Sequence, residues 1–342
     1  MTALQEKHAK LPLDEKFYAL EGKELAFFQE QTGIKDEAEL KQHIISVQTK
    51  AYEVFEYRCI RSFGFTRLKI SRLPAYQEAL KLAQQRPGAL FLDIGCCFGN
   101  DVRKIVADGW PVENAIASDL HQEFWNYGHE LFRSTPTTFP ATFIGGDAFD
   151  SAFLAPRKPF YSPEEPAPLT QPLRSLTSLT PLRGHMSTIH ASSFFHLFDE
   201  PQQLELARRL ATLLSASPGS MIFGVHGGRP EKGLRTEALN SAGKYMFCHS
   251  PETWRDLWDG VVFKKGTVKV ECGLHPMERP DLPAAPEAKF YGLWCSAACA
   301  GSMKGFQRLL AKLCAAYHLS TCHKKKEKDW SVALRTRRDD YT

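Results

Sequence analysis

A doubly wound, mostly parallel α/β sheet is the fold class that the sequence predicts, and three observations predict it. Five short apolar runs recur between residues 89 and 228, several of them ending in an acid or a glycine. Segments with apolar residues three or four apart separate them, the mark of helices that cross back over a parallel sheet. Two further runs, "GTVKVECGL" and "FYGLWCSAACAG", have no long helix between them and suit an antiparallel edge. The expected layout is therefore seven strands, Rossmann-like, with a helical cap before the first.

Residues 1–88 read as that helical cap or lid. In "KDEAELKQHIISVQTKAYEVF" (35–55), Leu40, Ile44, Val47, Ala51 and Val54 form one apolar stripe. Pro87-Gly88 punctuates the boundary. "ALFLDIG" (89–95) follows as a buried parallel strand. Asn100 is expected to cap a helix with Val102, Ile105 and Val106 on one face, closed by Gly109. "NAIASDL" (114–120) is a second strand ending in Asp119, and "HQEFWNYGHELF" a helix. "ATFIGGDAFD" (141–150) is a third strand ending in Asp147.

The stretch 155–184 is rich in Pro, Ser and Thr and predicts a surface insertion or partly disordered loop. "HMSTIHASSFFHLF" (185–198) makes a fourth strand and a turn. Pro201 then opens a helix bearing Leu204, Ala207, Leu210 and Leu214, and "GSMIFGVHGG" (219–228) is the fifth strand. The core is expected over 89–300, followed by a C-terminal helix and basic tail at 301–342.

With 342 residues, 43% apolar and 24% charged, the chain has an ordinary globular composition. Its net charge of +4 is too weak to suggest nucleic acid. The N-terminus has no apolar signal core, and no run approaches the ~20 residues that cross a bilayer. The nine cysteines are odd in number, and Cys295, Cys299, Cys314 and Cys322 lack the paired short spacings of a zinc site. Reduced thiols, no metal and a cytoplasmic location are expected.

The chemistry lies at "FLDIGCCFGNDV" (91–102). A dinucleotide loop needs closely spaced glycines for its pyrophosphate, whereas here Gly95 and Gly99 are separated by Cys96, Cys97 and Phe98. Asp93, just before the turn, opposes an anion and suits a cation. A cofactor with an ammonium and a sulfonium fits, and S-adenosylmethionine (SAM) has both. Asp119 would accept from its ribose hydroxyls, and Asp147 from the adenine amine beside the Ala148 N–H. Cys97 is read as small filler in the turn and not as a nucleophile.

This ordering resembles class I SAM-dependent methyltransferases over about residues 89–300. "KAYEVFEYRCIRSFGF", "FLDIGCCFGNDVRK", "DLHQEFWNYGHELF" and "IHASSFFHLF" further resemble fungal methyltransferases of secondary metabolism, those that methylate a carboxyl group in meroterpenoid pathways. The resemblance implies Asp119-Leu120 and Asp147-Ala148 as cofactor-binding pairs, and S-adenosylhomocysteine (SAH) as product. Phe149 and Ala191 join the expected cofactor set. The insertion at 155–184 departs from that family's pattern, so the substrate is not carried over.

Methyl transfer requires a placed nucleophile and excluded water more than a catalytic dyad. A carboxylate acceptor is already ionised at pH 7, whereas a phenol gains from a base. His190 and His196, by the fourth strand, are the candidates for a base or a positioning group. A structural histidine bonded to backbone is the other reading of His196. Phe194, Phe195 and His226 are candidates for the substrate wall, with core packing as the alternative for the phenylalanines. Tyr52, Tyr57 and Arg61 on the lid could meet a cofactor or substrate carboxylate. "HASS" at 190–193 stands where amino methyltransferases of nucleic-acid bases carry an Asn/Asp-Pro-Pro-aromatic turn. The expected function is O-methylation of a small, largely apolar metabolite. The rivals are an NAD-dependent oxidoreductase and a non-catalytic partner protein with the same fold.

Overall fold

The computed structural model describes residues 11–239, 243–282 and 287–300. The expected C-terminal helix and tail, with Cys314 and Cys322, lie outside the described residues. Helices α1 (Gly22–Thr32), α2 (Glu37–Val54), α3 (Arg58–Arg61) and α4 (Tyr76–Gln85) precede the sheet. Asp36 starts α2 by accepting from the Glu39 N–H. The predicted stripe is buried at Leu40, Ile44, Val47 and Ala51, with Val54 partly exposed. It packs against Phe98, Phe124, Leu131 and Phe132, so these N-terminal helices share a core with the glycine turn and with the helix over Gln122–Leu131.

The sheet runs β1 (Leu90–Ile94), β2 (Ala115–Ser118), β3 (Thr142–Phe143), β4 (Met186–His190), β5 (Met221–Gly228), β8 (Val268–Met277) and β9 (Phe290–Cys299). Their spatial order is β3-β2-β1-β4-β5-β9-β8. The first five pair in parallel; β9 enters antiparallel to both β5 and β8, so one reversed strand lies second from that edge and β8 runs with the other five. β1 and β4 are where the strand order reverses, and the crevice at their carboxyl ends is where such sheets take ligands. β1 and β4 are buried at every position, as strands covered on both faces must be.

α5 (Asn100–Ala107) and α6 (Gln122–Leu131) follow β1 and β2. α7 (Glu200–Leu213) and α8 (Pro251–Trp258) each begin with a reciprocal capping box, Asp199 with Gln202 and Ser250 with Thr253. The expected cap by Asn100 is corrected: Gly99, left-handed at φ 70°, occupies that position, and Asn100 is the first helical residue.

Three other expectations change. β3 is only two residues long, although Ile144 and Gly146 still donate to the Ala117 and Asp119 carbonyls, so the chain tracks β2 as far as the Gly145-Gly146 pair. Asp147 therefore stands beyond the strand. The 155–184 segment runs mostly over the surface but is anchored: Leu176, Leu179 and Leu182 enter the core, and Phe160 is buried. A two-stranded hairpin, β6 (Gly233–Leu239) with β7 (Tyr245–Cys248), has no counterpart in the sequence reading.

Candidate active site

The turn after β1 is held by its neighbour strand. Gly95 and Cys96 both donate to the Ser118 carbonyl, at 2.8 and 3.1 Å, and Gly99 donates back to Cys96. Gly95 sits at φ 72°, and a Cβ there would lie 2.8 Å from the Phe194 ring. A Cβ on Gly99 would lie 2.5 Å from Trp125. Both glycines thus combine left-handed backbone with an aromatic ring pressed on them. Cys97 is left-handed too, at φ 51°. Burial raises its thiol pKa well above the usual range, which removes thiolate chemistry there.

Asp119 joins the turn to the end of β2. One carboxylate oxygen accepts the Cys97 N–H at 2.9 Å and the other the His121 N–H at 3.1 Å. Each oxygen retains acceptor capacity for a further donor. Burial pushes its pKa up while those two N–H groups pull it down. Leu120 beside it is 58% exposed, and Asp147 is exposed, its side chain accepting from the Phe149 N–H at 2.8 Å. The Gly146 N–H reaches the Asp119 carbonyl, so both acidic ends border one crevice. Ala148 is buried beneath it.

Asp93 is 3% exposed, and its carboxylate lies 2.8 Å from Nδ1 of His190. His190 Nε2 is 2.7 Å from the Ser192 hydroxyl, which accepts the Val225 N–H. His190 completes this relay, with Nδ1 facing the Asp93 carboxylate and Nε2 the Ser192 hydroxyl. With both nitrogens engaged and 1% exposure, His190 is a positioning group for Asp93, which corrects its candidacy as a base.

His196 has its Nδ1 on the Gly227 N–H at 3.1 Å. Burial, with His226, Arg279, Arg235 and Lys69 nearby, drives its pKa well below normal. The neutral ring then carries its proton on Nε2 and presents a donor.

Phe194, half-buried, leans on Gly95 and meets Phe198, which meets Phe149. The three rings form a wall beside the turn. Phe195 and His226 belong instead to the helix side of the sheet: Phe195 packs on Trp254 and Trp258, and His226 on Trp254 at 4.4 Å. Both are buried, and neither nitrogen of His226 has a hydrogen-bond partner among the described residues. Ala191 is buried and donates from its backbone to Phe223; a Cβ on Gly224 would collide with its carbonyl. In the N-terminal helical segment, the Tyr52 hydroxyl donates to the Leu11 carbonyl, and Arg61 Nε to the Pro12 carbonyl, so both tie down residues 11–12. Tyr57 does reach the crevice: its ring packs on His121 and Phe124, and burial and the Asp119 charge raise its pKa. Phe198 and His121 were missed by the sequence reading; both lie within segments it had marked. No group of three metal-ligating side chains occurs among the described residues, and no helix there is long and apolar enough to cross a membrane.

The sheet order, the glycine turn and the acids at the carboxyl ends of β1, β2 and β3 define a class I SAM-dependent methyltransferase. Residues 14–66 match the family described as meroterpenoid methyltransferase N-terminal domain. The Asnovolin E/Chermesin D methyltransferase nvfJ of Aspergillus novofumigatus is 34% identical over 230 residues, 67% of this chain and 72% of that one. O-methyltransferase phiE, from a fungal species, is 34% identical over 224 residues, 66% of each chain. O-methyltransferase atr3 of Stereocaulon alpinum is 31% identical over 237 residues, 69% of this chain and 61% of that one. The chain belongs to this family of fungal methyltransferases. Among solved structures, LepI in complex with SAM is similar at a TM-score of 0.39 and 14% identity, over 66% of this chain and 47% of that one.

Proposed function

We propose that this protein O-methylates a small, largely apolar metabolite, with a carboxylate as the acceptor group. Bound SAM would supply an electrophilic methyl carbon on a good leaving group. The observation that carries the reading is the Cys97–Asp119 bond, which brings the glycine turn and the ribose-type acid to one edge of the crevice. Asp93, held by His190, would receive the cofactor's ammonium. Asp119 would accept from the ribose hydroxyls, and Asp147 and Leu120 would border the base. Phe194 and its neighbouring rings would line an apolar pocket and exclude water.

Asp93, Asp119 and the Phe194 wall would hold the cofactor in place for in-line methyl transfer to the acceptor oxygen, the O–C bond forming as C–S breaks, with SAH as product. A carboxylate needs no base for this step. The two histidines nearest β4 support that choice over a phenol, because His190 is saturated and His196 offers a donor. His196 Nε2–H would orient the acceptor. Calorimetry tests the cofactor reading: SAM and SAH should bind and NAD should not. Folded protein that binds neither SAM nor SAH would overturn it, and NAD binding in their place would favour an oxidoreductase.

A further inference from the structure

The hairpin missed in the sequence carries a buried arginine. Arg235, on β6, is 6% exposed, and it forms no ion pair among the described residues. The acid whose charge reaches it is engaged elsewhere: Glu237 takes both oxygens to Arg229 at 2.9 Å. Arg235 Nη2 has only a long 3.5 Å bond to the Ala238 carbonyl, and its Nε–H is buried with no partner. The guanidinium lies 5.3 Å from the Phe290 ring. A buried, unpaired cation is costly to keep, so its retention asks for an anion.

The hairpin's position connects this cation with the acceptor side of the site. Arg235 pairs with Met246 on β7. A Cβ on Gly227 would meet the Met246 sulfur at 2.6 Å and the His196 Cβ at 3.8 Å, and the Gly227 N–H is the group that fixes His196. The charges of Arg235, Arg279 and Lys69 all act on the His196 ring.

We propose that Arg235 is the carboxylate-reading residue of this site, taking one carboxylate through its free Nε–H edge. This rests on the methyltransferase reading above. Two carboxylates could supply the anion, the acceptor's and that of the cofactor's amino-acid part, and the experiment separates them.

The full chain, R235Q and R235K are titrated with SAH by calorimetry. Each is then melted with saturating SAH against a panel of terpenoid and aryl carboxylic acids, every acid beside its methyl ester. If the acceptor supplies the anion, at least one acid but not its ester stabilises the wild type. R235Q then binds that acid at least tenfold more weakly, R235K falls between, and SAH affinity stays within twofold. If the cofactor supplies it, SAH affinity falls tenfold in R235Q instead. Unchanged SAH affinity together with no acid–ester discrimination, or with an acid bound equally by R235Q, overturns the proposal. The melting point of the ligand-free protein adds a readout that a purely structural arginine would fail. Removing an unpaired cation should leave it equal or higher in R235Q; a marked fall there, repaired in R235K, assigns Arg235 to folding and also overturns the proposal. Wild type that does not bind SAH at all sinks the underlying methyltransferase reading, and this inference with it.

Discussion

His190 Nδ1 stands 2.8 Å from the Asp93 carboxylate in a site where both side chains are almost wholly buried. The pair extends through Ser192 to the Val225 N–H, so β1, β4 and β5 are linked by side chains as well as by their ladder. One acid of the crevice is thereby fixed by a strand that precedes the proposed acceptor pocket.

H190A removes one half of that buried pair and leaves Asp93 uncompensated. A loss of about 3 kcal/mol or more of stability is expected for the buried carboxylate left without its donor, with weaker SAH binding in whatever remains folded. S192A removes only the terminal hydroxyl and should cost about 1–3 kcal/mol. Urea melts of both variants check the order; S192A as damaging as H190A would contradict the relay.

D119A should weaken SAH binding by roughly 1–3 kcal/mol through lost charge-assisted hydrogen bonds. Calorimetry against wild type reads this directly. Because Asp119 also accepts the Cys97 N–H, D119N is the sharper control, keeping the shape but losing the charge. Wild-type affinity in both variants would mean that the ribose lies elsewhere.

G95A places a Cβ 2.8 Å from the Phe194 ring at a φ of 72°. Strain and overpacking together should cost about 2–4 kcal/mol. Adding F194A should recover only the steric part, since the left-handed backbone remains. Full recovery in the double variant would show that the conformation itself costs nothing.

Acid should unfold the protein early. Burial lowers the pKa of His226 to about 3 and of His249 to about 4, against an ordinary value of 6.5. Below pH 6.5 the unfolded chain therefore binds protons that the native state refuses. Stability contributed by these neutral rings is complete above pH 6.5 and drains as pH falls towards 4 and then 3. Urea midpoints between pH 7.5 and 5 should decline, and H226F with H249F should flatten the slope.

The strands β1, β2, β4 and β5 were legible because short apolar runs ended at glycines or polar residues. Asp93, Gly95, Gly99 and Asp119 were legible for the same reason, since strand ends place them without long-range information. The hairpin was hidden by its own chemistry: Arg235 occupies an inward position of β6, so no apolar alternation survives. Phe195 and His226 also sit at strand ends, yet Trp254 on α8 decides which way they face, and that contact is not local. Tyr52 and Arg61 found partners 41 and 49 residues away, beyond any periodic pattern. Composition showed the exposed character of 155–184 but not its anchors, Leu176, Leu179 and Leu182, which stand among proline, serine and threonine.

Trp125 lies where a side chain on Gly99 would be, and stacks on Phe143 at 5.4 Å. The indole is 6% exposed and backs the turn that the nucleoside would meet. The molecule therefore carries its own optical gauge. Any rearrangement of the glycine turn must press on, or release, a fluorophore already shielded from solvent. The emission lost between wild type and W125F should be the part that changes when SAH is added, giving a label-free record of ligand arrival in real time.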